Sequence, residues 1–190
     1  LGPLRHLTMT LIGEGEVPHH GEHLSGRQAL VQAGLTPLYL QAKEGLALIN
    51  GTHLMAAVGV LAVHDAQTLV ESAEVAAAMA LEALRCTDVP FDARIHAVRP
   101  QAGQAATAAH MRALLAGSAI IPSHRADDPR VQDPYSLRCI PQVIGAVRDT
   151  VAHCAGVVEA ELAAVTDNPL CFPADDAVLS GGNFHGASLA

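Results

Sequence analysis

The chain has little positive charge and few aromatic residues. Its 190 residues hold 11 lysines and arginines against 19 aspartates and glutamates, which gives a net charge of -8, and aromatic residues make up 3%. Lys43 is the single lysine. Because no basic stripe is available to neutralise phosphates, nucleic acids and anionic membrane surfaces are not expected as partners. The composition predicts small molecules and further copies of the chain as partners.

Motifs for several common chemistries are also missing. The four cysteines are widely separated and form no Cys-x-x-Cys pair, so neither a zinc knuckle nor a disulfide framework is expected. His19, His20 and His23 are close in sequence, but no second cluster of ligands accompanies them, and a solvated loop is the simpler interpretation. No phosphate loop, dinucleotide fingerprint or Gly-x-Ser-x-Gly elbow occurs. The sequence therefore predicts no metal site and offers no motif for nucleotidase, dehydrogenase or serine-hydrolase chemistry.

The start of the chain carries no signal sequence, and polar residues interrupt the apolar runs before they reach membrane-spanning length. We therefore predict a soluble, cytoplasmic protein with no membrane partner. The sequence opens on Leu1 without a methionine and stops at Ala190, within the predicted start of another helix. Both ends look cut, so we expect a piece of a longer chain.

Alanine-rich apolar runs with helical spacing dominate the sequence. They predict one long helix over residues 58–84, whose first half is apolar on nearly all sides and is expected to be buried. Apolar residues at steps of three or four predict a second long helix over 140–165. Shorter helices are predicted over 3–12 and 101–117, and a short extended piece near 22–24. The fold class that we predict is mainly α, a bundle of long helices with functional residues on the connections.

The segment Gln132 to Arg138, Gln-Asp-Pro-Tyr-Ser-Leu-Arg, holds the strongest candidate site residues. Asp133 followed by Pro134 is typical of a helix N-cap with proline at the first helical position, which places Tyr135 and the arginine in the opening turns of a helix. An arginine there can bind a carboxylate through two parallel hydrogen bonds, and a tyrosine can donate or accept a proton. An ordinary capped helix with a surface arginine explains the local pattern equally well.

Two further segments are candidates for ligand contact. Asn50-Gly51-Thr52 lies between an apolar run and the first long helix, where a carboxamide must find partners and could position a ligand. Ser180-Gly-Gly-Asn-Phe-His185 contains paired glycines that let backbone approach a ligand, without the spacing of a phosphate loop. A turn and a plain loop are the simpler interpretations of these two segments.

Four motifs, taken in order, resemble those of the histidine ammonia-lyases, within the aromatic amino acid ammonia-lyases. They are Ala42-Lys-Glu-Gly-Leu-Ala-Leu-Ile-Asn-Gly-Thr52, Gln132-Asp-Pro-Tyr-Ser-Leu-Arg-Cys-Ile-Pro-Gln142, Thr166-Asp-Asn-Pro-Leu170 and Ser180-Gly-Gly-Asn-Phe-His-Gly186. The resemblance covers essentially all 190 residues. It implies the ammonia-lyase fold, with residues 1–190 as a single segment, the central helical region of a longer chain.

The resemblance also implies an unusual prosthetic group. Enzymes of this family eliminate ammonia from an aromatic amino acid with an electrophilic methylidene-imidazolone ring, which forms from an Ala-Ser-Gly tripeptide of the chain itself. In the family that tripeptide lies immediately before the segment that matches Leu1, and it does not occur in this sequence. The ring is therefore expected to form from residues outside this sequence, and no metal is implied.

Five residues match positions that have roles in the family. By resemblance, Asn50 hydrogen-bonds near the ring and the substrate, and Arg138 binds the substrate carboxylate. Tyr135 lies beside the ring and supports its formation and the chemistry. Gln132 helps to hold the ring site, and Phe184 packs close to the ring. The resemblance thus implies catalytic roles for Tyr135, Asn50, Gln132 and Phe184, and substrate binding by Arg138 and Asn50.

The first hypothesis for function is a segment of a histidine ammonia-lyase, which converts L-histidine to trans-urocanate and ammonia in histidine degradation. The family enzyme is a homotetramer whose long helices form a shared bundle, so the 190 residues alone are expected to be inactive. One alternative is a tyrosine or phenylalanine ammonia-lyase or aminomutase. Another, of a different class, is a non-catalytic helical scaffold that acts through oligomerisation.

Overall fold

The computed structural model describes Gly2 to Ala190, with side chains from Leu4 onward, and helices dominate it. The α-helices are α1 (Gly2–Met9), α2 (Gly26–Gln32), α3 (Glu44–Ala47), α4 (His53–Ala83), α5 (Ala93–Ala97), α6 (Ala102–Leu114), α7 (Ile120–His124), α8 (Tyr135–Arg138) and α9 (Ile140–Leu162). Short 3-10 helices cover Thr10–Ile12, Val89–Phe91, Pro173–Asp175 and Gly186–Leu189. The mainly α fold and both predicted long helices are confirmed.

Four short strands form two antiparallel hairpins. The strands are β1 (Glu16–His19), β2 (Glu22–Ser25), β3 (Leu170–Phe172) and β4 (Ala177–Leu179). Glu16 pairs with Ser25 in the first hairpin, and Leu170 pairs with Leu179 in the second. The sequence indicated only the piece that became β2. With three or four residues per strand and mostly exposed positions, no alternation of apolar and polar residues marks the other strands.

The chain divides into two compact units, and both long helices contribute residues to each. The first unit comprises Leu1–Gly59 and Val157–Ala190, and the second comprises Val60–Gly156. The interpretation of residues 1–190 as one central segment of a longer chain stays a prediction.

The core of the second unit brings together side chains of α4, α6, α7 and α9. Its buried members include Leu81, Phe91, Met111, Ile121 and Ile140. Two glycines explain how closely α6 and α9 approach. A Cβ atom at Gly103 would lie 2.1 Å from the carbonyl oxygen of Gly145, so a side chain there would force the helices apart.

The first half of α4 is exposed within the chain, contrary to the expectation from its composition. Val58 is 58% exposed and Leu61 is 65% exposed. His64 and Asp65 also do not interrupt the helix, contrary to the expectation that polar residues divide the apolar runs. By length and composition alone, α4 could cross a membrane. Its most apolar 18-residue window is 11% buried. So much uncovered apolar surface is rare on a monomeric soluble protein.

Candidate active site

Asn50 lies in the turn that leads from α3 into α4. Gly51 follows with a φ of +107°, a left-handed backbone that only glycine adopts without strain. A Cβ atom at this glycine would lie 2.6 Å from the carbonyl oxygen of Thr166, and the backbone N–H of Thr52 donates to the Thr166 hydroxyl over 3.2 Å. The turn is therefore packed directly onto the loop that follows α9.

The carboxamide of Asn50 bonds to that same loop. Its Nδ2 donates to Asp167 Oδ1 over 3.2 Å and to the carbonyl oxygen of Asn168 over 3.3 Å. Lys43 Nζ forms a salt bridge with Asp167 Oδ2, and this contact is the leading cause that lowers the pKa of Asp167. Lys43, Asn50, Asp167 and Asn168 are called the Asn50 cluster below.

The segment that carries Phe184 is attached to this loop as well. The backbone N–H of Gly181 donates to Asn168 Oδ1 over 2.7 Å, and Asn183 Nδ2 donates to the carbonyl oxygen of Val165 over 3.3 Å. The Phe184 side chain is 43% exposed. The first unit therefore brings Asn50 and the Ser180–Gly186 motif onto one loop, residues 165–168.

The predicted N-cap at Asp133 is wrong. The cap residue of α8 is Pro134, and no side chain caps the helix. The Asp133 carboxylate is buried and turns elsewhere: it accepts a hydrogen bond from the backbone N–H of Thr87 over 2.7 Å and pairs with Arg130 over 3.4 Å. These two donors satisfy the carboxylate, so it anchors the loop before α8 instead of capping the helix.

Arg130 reinforces the same loop. Its Nη1 donates to the carbonyl oxygen of Leu84 over 3.1 Å, and its guanidinium pairs with Asp128, which lowers the pKa of that carboxyl to about 2. Together with Asp133, this arginine ties the segment before α8 to the end of α4.

Arg138 lies half-buried at the end of α8. Its Nε donates to the carbonyl oxygen of Asp133 over 2.9 Å, and its two terminal nitrogens have no hydrogen-bond partner in the described part of the chain. Tyr135 is 75% exposed, and Gln132 is also exposed. A guanidinium fixed through Nε with both terminal nitrogens available has the donor pair that a carboxylate accepts.

The second unit also holds a buried ionic cluster that the sequence did not indicate, called the Glu74 triad: Glu74, His110 and Arg148. Glu74 Oε2 accepts from Arg148 Nη2 over 2.7 Å and contacts His110 Nδ1 over 2.5 Å. Burial raises the pKa of Glu74, but the hydrogen bonds from both partners outweigh it, so the net pKa is lowered. The three residues come from three helices and share no motif.

The predicted site residues thus fall into two groups. Asn50 and Phe184 lie in the first unit, whereas Gln132, Tyr135 and Arg138 lie on one short segment of the second. Lys43 and Asp167 belong to two of the motifs, but no local pattern gives either residue a role of its own. The signal that could have singled out Lys43 is that it is the single lysine of the chain. Among residues 2–190, no group of three or more His, Cys, Asp or Glu side chains could hold a metal ion.

Comparison with known proteins supplies the context for these residues. A sequence profile described as aromatic amino acid lyase matches residues 1–190. The histidine ammonia-lyase of Sorangium cellulosum (strain So ce56) is 55% identical over 195 aligned residues, which cover 100% of this chain and 38% of that protein. The chain thus spans well under half the length of this curated relative.

Solved structures share the fold over the whole chain. Tyrosine aminomutase from Streptomyces globisporus is similar with a TM-score of 0.89 and 42% identity, covering 100% of this chain and 39% of that one. Histidine ammonia-lyase from Trypanosoma cruzi is similar with a TM-score of 0.85 and 42% identity, covering 100% and 35%. The helices, the four motifs and these matches lead to one conclusion: the chain belongs to the aromatic amino acid lyase family.

Proposed function

We propose that this chain is the central part of a histidine ammonia-lyase, a carbon-nitrogen lyase that converts L-histidine to trans-urocanate and ammonia. The observation that carries the proposal is the 55% identity, over the whole chain, to a protein of that name. Arg138 supports it, because the substrate is an amino acid whose carboxylate needs a two-pronged donor.

The remaining residues suit a site built around a methylidene-imidazolone ring. When present, such a ring supplies the electrophile that ordinary side chains lack. The polar groups of the chain fit such a ring: the Asn50 carboxamide oxygen can accept a hydrogen bond, the Tyr135 hydroxyl and the Gln132 carboxamide can donate or accept one, and none of these groups has a hydrogen-bond partner within the described residues. Asn50 and Gln132 would hold the ring site, Tyr135 would move a proton beside it, and Phe184 would exclude water.

The exposed face of α4 supports assembly with further copies of the chain. We propose a homo-oligomer, a tetramer as in the family, in which the long helices cover one another's apolar residues. A cytoplasmic location without nucleic acid or membrane partners fits the net charge of -8 and the single lysine.

A hybrid enzyme tests the proposal. The aligned region of the Sorangium cellulosum enzyme is replaced by these 190 residues, and urocanate formation from L-histidine is measured. We expect turnover by the hybrid and none by the 190 residues alone. In the hybrid, Arg138→Ala should lower kcat/KM by an amount equivalent to roughly 2 kcal/mol or more, because a charge-assisted contact to the carboxylate is lost.

Arg99→Ala is the matched control, since this exposed arginine makes no side-chain hydrogen bond within the described residues. Its kcat/KM should stay at the value of the hybrid. An assembled hybrid that fails on histidine, or that tolerates Arg138→Ala, would contradict the proposal and favour the scaffold. Assays with L-tyrosine and L-phenylalanine test the alternative of a tyrosine or phenylalanine ammonia-lyase or aminomutase. The similarity to tyrosine aminomutase supports that alternative.

A further inference from the structure

The orientation of the Asn50 carboxamide is dictated by its two neighbours. Nδ2 faces Asp167 Oδ1 and the carbonyl oxygen of Asn168, at 3.2 and 3.3 Å. Both are acceptors, so turning the carboxamide over would place its oxygen against a carboxylate and a carbonyl. The amide nitrogen must therefore face the loop, and Oδ1 is the polar atom of this side chain that stays available.

Asp167 is itself held from two sides. Lys43 takes Oδ2 in a salt bridge, while the backbone N–H of Asn168 donates to Oδ1 over 2.6 Å. The Asp167 side chain is 12% exposed. With one oxygen bound to the ammonium group, the other is fixed where the Asn50 amide reaches it, and its charge is compensated.

Lys43 reaches this position at a conformational cost. Its φ is +78°, in the left-handed region that residues with a side chain rarely adopt. The contacts around Lys43, including its salt bridge with Asp167, must therefore offset the cost of this backbone conformation.

We propose that Lys43 and Asp167 are positioning residues that hold the Asn50 carboxamide with its oxygen toward the ligand, where it accepts a hydrogen bond from an N–H donor of the bound amino acid. The proposal rests on the proposed function, since it assigns an amino acid as the ligand. Lys43 acts on Asp167, Asp167 acts on Asn50, and Asn50 alone of the three contacts the ligand.

The first test needs no activity. In the 15N-labelled 190-residue chain, the Asn50 side-chain amide signals are assigned by their loss in Asn50→Ala. Asp167→Asn and Lys43→Met should each shift these signals and speed the exchange of their protons, whereas Lys43→Arg should preserve them. Asp175→Asn, the same chemical change at an exposed position of the same unit, should leave them in place. Unchanged Asn50 signals in both Asp167→Asn and Lys43→Met would overturn the inference.

The second test measures kinetics in the hybrid enzyme. Asp167→Asn and Lys43→Met should each lower kcat/KM for L-histidine about tenfold, the size expected for a lost hydrogen bond to a charged group. In the Asn50→Ala background, Asp167→Asn should lower kcat/KM by a further factor of less than about two, because the residue through which Asp167 acts is absent. Equal losses of kcat/KM in both backgrounds would show that Asp167 acts independently of Asn50, and they would contradict the proposal.

The two tests separate two kinds of failure. A hybrid without turnover contradicts the proposed function, while the amide signals still decide whether Lys43 and Asp167 orient Asn50. A hybrid with full turnover that is indifferent to Lys43→Met and Asp167→Asn contradicts the positioning role alone.

Discussion

The Asn50 cluster of the first unit and the Glu74 triad of the second each surround one shielded carboxylate, but they differ in what is left over. In the triad, Arg148 Nε donates to one Glu74 oxygen over 3.3 Å, and the other oxygen contacts both Arg148 and His110. In the Asn50 cluster, the chain of contacts ends on a carboxamide oxygen that has no donor among residues 2–190.

The Glu74 triad is a network that holds helices together, whereas the Asn50 cluster leaves one carboxamide oxygen available to a ligand. The triad joins α4, α6 and α9, and its carboxylate is fully buried, so its hydrogen bonds serve packing. The Asn50 cluster lies on segments that border α3 and follow α9, outside the long helices, where binding residues are common because a rigid scaffold positions them. A satisfied network and an open one thus indicate different roles even when both are built from a carboxylate and a cation.

Removal of the central carboxylate of the triad is expected to have the largest effect on stability. Glu74→Ala leaves the Arg148 charge partly buried without its partner, so we expect the free energy of unfolding to fall by roughly 3–5 kcal/mol. Urea denaturation of the 190-residue chain, followed by circular dichroism, measures the change.

Glu159→Ala serves as its control, because this glutamate is exposed on α9 and makes no side-chain hydrogen bond within the described residues. Its effect should stay within about 0.5 kcal/mol. A loss for Glu74→Ala no larger than that of the control would mean that the triad does not hold the helices.

The contribution of the Asn50 cluster to stability should depend on pH. Lys43 lowers the pKa of Asp167, so the ionised carboxylate stabilises the folded chain fully above its unfolded pKa of about 3.9. That contribution is lost as the pH falls through the lower, folded pKa. We expect Asp167→Asn to cost roughly 1.5–3 kcal/mol at pH 7, the range for hydrogen bonds to charged groups.

Urea denaturation of both proteins at pH 7, 5, 4 and 3 checks the sign. The difference between the parent chain and Asp167→Asn should be constant from pH 7 to 5 and shrink toward pH 3. A difference that grows on acidification would show that the folded pKa of Asp167 is raised, contrary to its salt bridge with Lys43.

The long helices could be predicted because many apolar residues repeat with the same period. Thirty-one residues form α4 and 23 form α9, so an error of a few residues at the end of a helix does not change the prediction that the helix exists. The strands of three or four residues gave no such pattern. Whether the first half of α4 is covered could not be predicted either, since composition does not reveal which apolar surface faces a partner outside the chain.

The candidate site could be predicted as a set of motif residues but not as contacts. Lys43 and Asp167 are 124 positions apart, and no local spacing indicates that they meet. The N-cap predicted from Asp133 and Pro134 is wrong for a related reason. The N-cap preference is worth only about 1 kcal/mol, and it is outweighed by the backbone N–H of Thr87, which is distant in sequence, together with the nearby Arg130.

The smallest expected effect on stability comes from an exposed ion pair whose charged atoms are as close together as those of the triad. Arg125 and Asp88 approach to 2.7 Å, as Arg148 and Glu74 do, yet their side chains are 61% and 41% exposed. Water screens such a pair and its side chains are costly to order, so Asp88→Asn should change the free energy of unfolding by less than about 0.5 kcal/mol. The same urea experiment measures it. A loss that approaches that of Glu74→Ala would show that the distance between the charges, rather than their burial, sets the strength of ion pairs in this chain.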